Sequence, residues 1–193
     1  MRSEVQATAT LVRGTISPMT GRQAIRATVA GLSGLLASAA AAGPVLAHGP
    51  VPAEPPTAAR VLDFGCGSGI LAIAACLLGC TQAVAIDIDP QALTATQANA
   101  QRNGITPEQL TITEPGALDV GGYDVILANI LANPLIALAP RIAALTAPGG
   151  RLCLSGILES QCAAVRDAYA PWFDFAPPAV RESWARLTGC KTR

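Results

Sequence analysis

A chain of 193 residues, 51% of them apolar and only 13% charged, suits one domain and can bury a substantial core. Thirteen basic residues balance thirteen acidic ones. Neither residues 1–60, with five arginines against Glu4 and Glu54, nor the remainder has the dense basic patch of a nucleic-acid binder, so a phosphate backbone is an unsuitable substrate. The cysteines Cys66, Cys76, Cys80, Cys153, Cys162 and Cys190 contain no C-x-x-C pair, and His48 is the only histidine. These counts argue against a metal centre, a disulfide framework and histidine-based catalysis, and the thiols read as reduced members of a cytosolic core.

Residues 1–59 are rich in Ala, Gly, Ser and Thr, and Pro44, Pro50, Pro52, Pro55 and Pro56 make the approach to the first strand an extended linker. Residues 27–47 carry no charge and follow Arg22 and Arg26, which imitates a signal segment or a membrane span. Their alanine, glycine and serine content makes them only weakly hydrophobic, so the expectation is a partly helical arm and not a span. A second unit, residues 60–193, then alternates strands and helices.

The first strand, Arg60 to Gly65, empties into the run Gly65-Cys66-Gly67-Ser68-Gly69 and a helix from Ile70 to Leu78. Glycines at alternate positions allow a sharp turn and close approach of a ligand, and the amides opening the helix point into the same space. A dinucleotide fingerprint needs glycine where Ile70 stands, so the spacing disfavours NAD or FAD and suits S-adenosylmethionine. Asp63 at the end of this strand joins Gly65, Gly67 and Gly69 as a candidate cofactor-binding residue. The second strand, Ala83 to Asp87, ends in a carboxylate 22 positions beyond Gly65, where an acid can accept hydrogen bonds from ribose hydroxyls. Asp89-Pro90 reads as the N-cap and first residue of a helix closed by Gly104.

A short strand at Gln109 to Thr113 and a stronger one at Tyr123 to Ala128 follow, then a helix opening at Asn133-Pro134, bent at Pro140 and ending before Pro148. Asn129 falls at the carboxyl edge of the fourth strand, which flanks the first at the switch point of such a sheet. It is the candidate catalytic residue and a further cofactor contact. Arg151 to Ser155 is a fifth strand, Glu159 to Tyr169 a helix, and Phe173 to Ala176 and Trp184 to Thr188 are two tail strands. With no helix between the tail strands, at least one must run antiparallel. The fold class is therefore α/β: a doubly wound, mainly parallel sheet of seven strands with an antiparallel strand near the carboxyl terminus.

The strings Val61 to Ala75, Ile86-Asp87-Ile88-Asp89-Pro90-Gln91-Ala92, Ala128-Asn129-Ile130-Leu131-Ala132 and Leu154-Ser155-Gly156-Ile157-Leu158 closely resemble the ribosomal protein L11 methyltransferase family. The tail from Ala168 through Trp184 to Gly189 is similar to that family's carboxyl terminus. The resemblance runs from about Arg60 onward and implies a Rossmann-like class I methyltransferase. It implies S-adenosylmethionine as cofactor and methylation of lysine and N-terminal amino groups of ribosomal protein L11, in the cytoplasm, by a monomer. Positions matching Gly65, Asp87 and Asn129 contact the cofactor in that family. No general base is identifiable.

Residues 1–59 show neither the family's small N-terminal recognition domain nor its Gly-rich and His-Pro-Thr-Thr stretch, of which His48-Gly49-Pro50 is a faint echo. Two alternatives therefore stand beside the family activity. One is a catalytically incompetent, cofactor-binding remnant; the other is a methyltransferase for a different protein lysine or a small amine.

Overall fold

The computed structural model describes residues 59–118 and 121–192, so the expectations for the amino-terminal arm lie outside the described residues. Strand β1, Arg60–Phe64, is buried on both faces, as its unbroken apolar run requires. Helix α1, Ile70–Leu77, buries five successive residues from Ala72 to Cys76, because alanine side chains let its axis lie close to the sheet. Strand β2 is Gln82–Ile86, and helix α2, Pro90–Arg102, buries only Thr96 and Ala100 along one stripe. Asp89 caps α2 as expected, its Oδ1 accepting the Gln91 amide at 2.9 Å with Pro90 at the first position.

Both helices end in the same way. After α1, the Gly79 amide donates to Cys76 at 3.0 Å and the Cys80 amide to Ala75 at 3.1 Å; after α2, Gly104 donates to Gln101 and Ile105 to Ala100, each at 3.0 Å. Gly79 and Gly104 have φ of 91° and 70°, the left-handed turn that this closure demands.

Strands β3, Leu110–Thr113, β4, Tyr123–Asn129, and β5, Thr146–Leu158, are joined by helix α3, Ala132–Leu145, between β4 and β5. Helix α4, Cys162–Tyr169, follows a 3₁₀ turn at Glu159–Gln161, so the helix expected from Glu159 starts three residues later. Then come β6, Phe173–Phe175, β7, Ala179–Arg181, and β8, Trp184–Lys191. The sheet runs β3-β2-β1-β4-β5-β8-β6, seven strands along one path, and β7 adds a short eighth that pairs with β8 off that path. Strands β1 to β5 pair in parallel, whereas β8 runs antiparallel to β5, β6 and β7.

Strand β5 begins earlier than Arg151. Tyr123 already pairs with Thr146 before Val125 pairs with Arg151, so the Pro148-Gly149-Gly150 segment bulges out of the ladder instead of preceding it.

The two faces differ in bulk. Leu62, Ile86, Ile126, Leu152 and Leu154 pack with Leu135 and Ile142 of α3 and with Val165 and Tyr169 of α4. Each such side chain contributes about 1.5–3 kcal/mol by leaving water. The opposite face presents Val61, Ala83, Ala85, Val125 and Leu127 to the alanine-rich α1 and to α2. Tyr169 is fully buried and donates its hydroxyl to the Leu135 carbonyl at 2.9 Å, and Lys191 Nζ donates to Ala143 and Thr146 at 2.6 and 2.8 Å, satisfying carbonyls at the end of α3. Among the described residues no helix is long and apolar enough to cross a membrane.

Candidate functional site

The sheet order reverses direction between β1 and β4, and the carboxyl ends of β1, β2, β4 and β5 share one edge. The glycine turn leaves β1 at that switch point. Its first bonds fasten it to β2: the Gly65 and Cys66 amides both donate to the Ile86 carbonyl at 2.9 Å.

Each glycine has its own reason to be there. A Cβ on Gly65 would collide with Ile130 Cγ2, so β1 can approach the loop after β4 only without a side chain. A Cβ on Gly69 would lie 2.5 Å from Thr96 Cγ2 on α2. A Cβ on Gly67 would meet nothing within 4 Å among the described residues, and this residue is exposed. All three have positive φ, 76°, 54° and 77°. Gly67 is thus the position of the turn where the backbone lies open at the surface.

Asp87 closes over the turn from the end of β2. Its Oδ2 accepts the Gly67 amide at 2.9 Å and its Oδ1 accepts the Asp89 amide at 3.0 Å. A carboxylate has about four acceptor positions, so lone pairs on both oxygens remain for hydroxyl groups. Ile88, 87% exposed, stands next to it as open apolar surface.

Asp63 lies beneath the turn, 1% exposed, with Oδ2 accepting the Ala72 amide in the first turn of α1 at 3.0 Å. Its Oδ1 is buried with no hydrogen-bond partner among the described residues. Burial pushes the carboxyl up to about 7; the Ala72 bond works against that rise, and the nearby Asp87 charge adds to it. Asp63 is therefore a support of the loop from below, and Gly67 and Asp87 form its outer surface.

Helix α2 ties the loop down from the side. Thr96 Oγ1 donates to the Gly67 carbonyl at 3.0 Å and meets Cys66 Sγ at 3.5 Å, while Asn99 Nδ2 donates to the Ser68 carbonyl at 2.9 Å. Sequence reasoning assigned neither residue. A signal existed: Thr96 is a polar residue on the buried stripe of an amphipathic helix, and a polar group placed there needs a partner.

Asn129, exposed at the end of β4, pairs with Ser155 of β5 and lines a cleft of about 380 Å³ with Ile130, Leu131, Ser155, Gly156 and Trp184. Gly156, at φ 78°, lets the chain pass Asn129, since a Cβ there would lie 3.0 Å from Oδ1. Leu131 is 69% exposed and Trp184 54%, a large apolar surface at the mouth. Trp184 comes from β8, 55 positions away, and nothing local in the sequence marks it. The six sequence candidates thus cluster on the switch-point edge: Gly67, Asp87 and Asn129 at its surface, Asp63 and Gly69 packed below, and Gly65 against Ile130.

This sheet with its switch-point loop is the architecture of class I S-adenosylmethionine-dependent methyltransferases. Solved structures agree. The RNA methyltransferase from Salinibacter ruber, in complex with S-adenosyl-L-homocysteine, superposes with a TM-score of 0.58 at 15% identity, over 91% of this chain and 94% of that one. The ribosomal protein L11 methylase from Lactobacillus delbrueckii subsp. bulgaricus gives 0.69 at 29% identity, over 86% and 80%.

The family model for ribosomal protein L11 methyltransferase (PrmA) matches residues 54–192, and the chain belongs to that family. The proteins named ribosomal protein L11 methyltransferase in Cellvibrio japonicus and Ectopseudomonas mendocina are 55% and 58% identical over 134 and 132 residues, 69% and 68% of this chain. The chain matches 46% and 45% of their lengths, less than half of each. The cofactor of the family, S-adenosylmethionine, is the one that the glycine spacing selects.

Proposed function

We propose that this chain methylates amino groups, lysine side chains and the N-terminal amine, of ribosomal protein L11 in the cytoplasm, using S-adenosylmethionine. The observation that carries the reading is the convergence on one sheet edge of an open backbone at Gly67, a carboxylate with spare lone pairs at Asp87, and the Asn129 cleft. The residues present suit the cofactor. Asp87 would hold ribose hydroxyls, Ile88 would support the base, and the backbone at Gly67 would lie against the remainder.

When bound, the cofactor supplies an electrophilic methyl group on a sulfonium. The chain supplies position and dryness. The Asn129 amide can accept a hydrogen bond from an amine without a change of charge, and Leu131, Ile130 and Trp184 remove water from around it. An ammonium has no lone pair, so a nucleophilic amine must be neutral. Desolvation in an apolar cleft favours that form, and the proton leaves to solvent. Among the described residues no basic side chain lines the cleft, so the residues there select the neutral amine and hold it in line.

The experiment is calorimetric titration of the full chain with S-adenosylmethionine, Asp87→Ala as control, followed by transfer of a labelled methyl group to purified protein L11. Binding that is lost in the variant, with transfer to L11, supports the proposal. A second reading rests on the matched length: a chain that aligns with less than half of its relatives would bind the cofactor and leave L11 unmodified. Transfer to a lysine-rich peptide but not to L11 would shift the acceptor instead.

A further inference from the structure

Strand β7 adds nothing to the core: Ala179, Val180 and Arg181 are all exposed, and the strand pairs with the outer part of β8. The turn that joins the two is strained. Arg181 pairs with Trp184, so Glu182 and Ser183 form a two-residue hairpin loop, and both stand at positive φ, 51° and 68°. Such a loop ordinarily calls for Asn and Gly, because other side chains crowd their own backbone there. A strand that buries no side chain, closed by a strained turn, points to a role outside the core.

What the hairpin encloses is a second cavity, of about 360 Å³, beside the Asn129 cleft and sharing Ser155 and Trp184 with it. The pleat of β8 decides its contents. Ala185 and Leu187 turn into the core, so Trp184 and Arg186 stand together on the other face. Opposite Arg186 in the ladder is Ala179, too small to cover a guanidinium, and opposite Trp184 is Arg181. Arg186 is half-buried and forms no ion pair among the described residues, and its Nε is shut away from water with no hydrogen-bond partner among them. Arg181, its side chain 92% exposed, pairs with Glu182 of its own turn at 4.0 Å, a contact that solvent screens. Two guanidinium groups against one carboxylate leave the cavity cationic. The Arg186 charge, stripped of part of its water and given no partner, has the most to gain from an anion.

We propose that this cavity is an anion subsite for the acceptor, in which Arg186 takes the carboxylate of an aspartate or glutamate two residues along the acceptor chain from the amine. It rests on the amine-acceptor role of the Asn129 cleft. Successive residues on one face of a strand lie about 7 Å apart, which is the spacing from Trp184 to Arg186 and equally that of side chains i and i+2 in an extended peptide. A lysine on one side of the indole therefore brings its second neighbour to the guanidinium. A guanidinium matches a carboxylate in shape and charge, whereas an amide of the same shape offers it one oxygen and no charge. The subsite thus selects among amines that the cleft alone treats alike.

The test is fluorescence anisotropy of the full chain with two labelled peptides, one with aspartate at both second neighbours of a lysine, the other with asparagine there. The aspartate peptide should bind about tenfold more tightly. Arg186→Gln should erase the difference, and Arg186→Lys should restore part of it. Ala179→Leu, at an exposed position, should fill the space before the guanidinium and erase the preference with circular dichroism unchanged. Arg181→Gln should weaken binding by no more than about twofold; a loss equal to that of Arg186→Gln would reduce the effect to net charge and overturn the proposal. It is overturned equally if the two peptides bind alike or if neither binds. Transfer of a labelled methyl group separates the subsite from the activity beneath it. Equal kcat/KM for both peptides removes the subsite and keeps the amine acceptor, whereas aspartate-selective binding without transfer keeps the subsite and removes the amine acceptor.

Discussion

Along one sheet edge, the half built from β1, β2 and α2 and the half built from β4, β5 and β8 make their surfaces in opposite ways. In the first half the outer surface is main chain. Asp87, Thr96 and Asn99 spend their side chains on holding loop amides and carbonyls in place, and two of the three glycines are fixed by what packs against them. In the second half the surface is side chain: Asn129, Leu131 and Trp184 stand exposed around a cleft whose walls come from three strands. A rigid backbone cradle suits a ligand of constant shape, and an open apolar mouth suits an acceptor that arrives on another molecule. Damage to the first half should therefore appear in folding and cofactor affinity, and damage to the second in acceptor kinetics.

The most severe test of this contrast is Gly69→Val. Left-handed strain of about 1–2 kcal/mol adds to the cost of displacing Thr96 from a buried contact, about 1–3 kcal/mol. The expected loss is about 2–5 kcal/mol in a denaturant titration. Gly67→Ala is the matched control. It has nothing to strike, so only the left-handed strain, about 1–2 kcal/mol, should remain. Equal losses in the two variants would dissolve the distinction between packed and open glycines.

Asp63 should give the loop a pH signature. Its folded-state pKa of about 7 stands above the ordinary aspartate value of 3.8, so the native state keeps a proton that the unfolded chain releases. Stability from this group is complete below about pH 4 and declines as pH rises through 7, by no more than about 4 kcal/mol in all. Asp63→Asn, which carries no such proton, should flatten that decline and match or exceed the parent at pH 8. A parent curve that rises from pH 4 to pH 7, with the variant parallel to it, would place the carboxyl in a different environment.

Asp87→Ala removes charge-assisted hydrogen bonds worth about 1.5–3 kcal/mol, so S-adenosylmethionine affinity by calorimetry should fall about 10- to 150-fold. The Gly67 amide also loses its acceptor, and hydrogen exchange at that amide should quicken. Unchanged affinity would move the ribose contact elsewhere, with Asp89 next to be tried.

What was legible in the sequence follows the same division. The glycine turn, Asp87, the Asp89 cap and the Gly104 closure are local: each is decided within a few residues of chain, and each stands where the pattern put it. The parallel order and the antiparallel return were legible because βα alternation admits few topologies. What escaped depends on distance. Thr96 gains its meaning only when α2 lies beside a loop 29 positions earlier, the Pro148-Gly149-Gly150 bulge depends on register with Tyr123, and β7 exists only because β8 offers an edge.

Trp184 is the clearest case of that second kind, and its replacement should have the smallest effect. Antiparallel pairing of β8 with β5 sets Trp184 opposite Leu158 and carries its ring to the cleft where Asn129 stands. At 54% exposure it supports little of the core, so Trp184→Ala should change stability by no more than about 1 kcal/mol. An ammonium or alkyl chain laid on an exposed indole gains about 0.5–1 kcal/mol, which predicts a two- to fivefold rise in KM for the amine acceptor. Cofactor affinity should be unmoved and kcat nearly so, and Trp184→Phe should recover part of the loss. A fall in kcat with KM unchanged would make the ring part of the alignment of the reacting atoms. A fall in melting temperature with neither kinetic constant altered would make it a prop for the β7–β8 hairpin, and the acceptor would then have to enter along another wall.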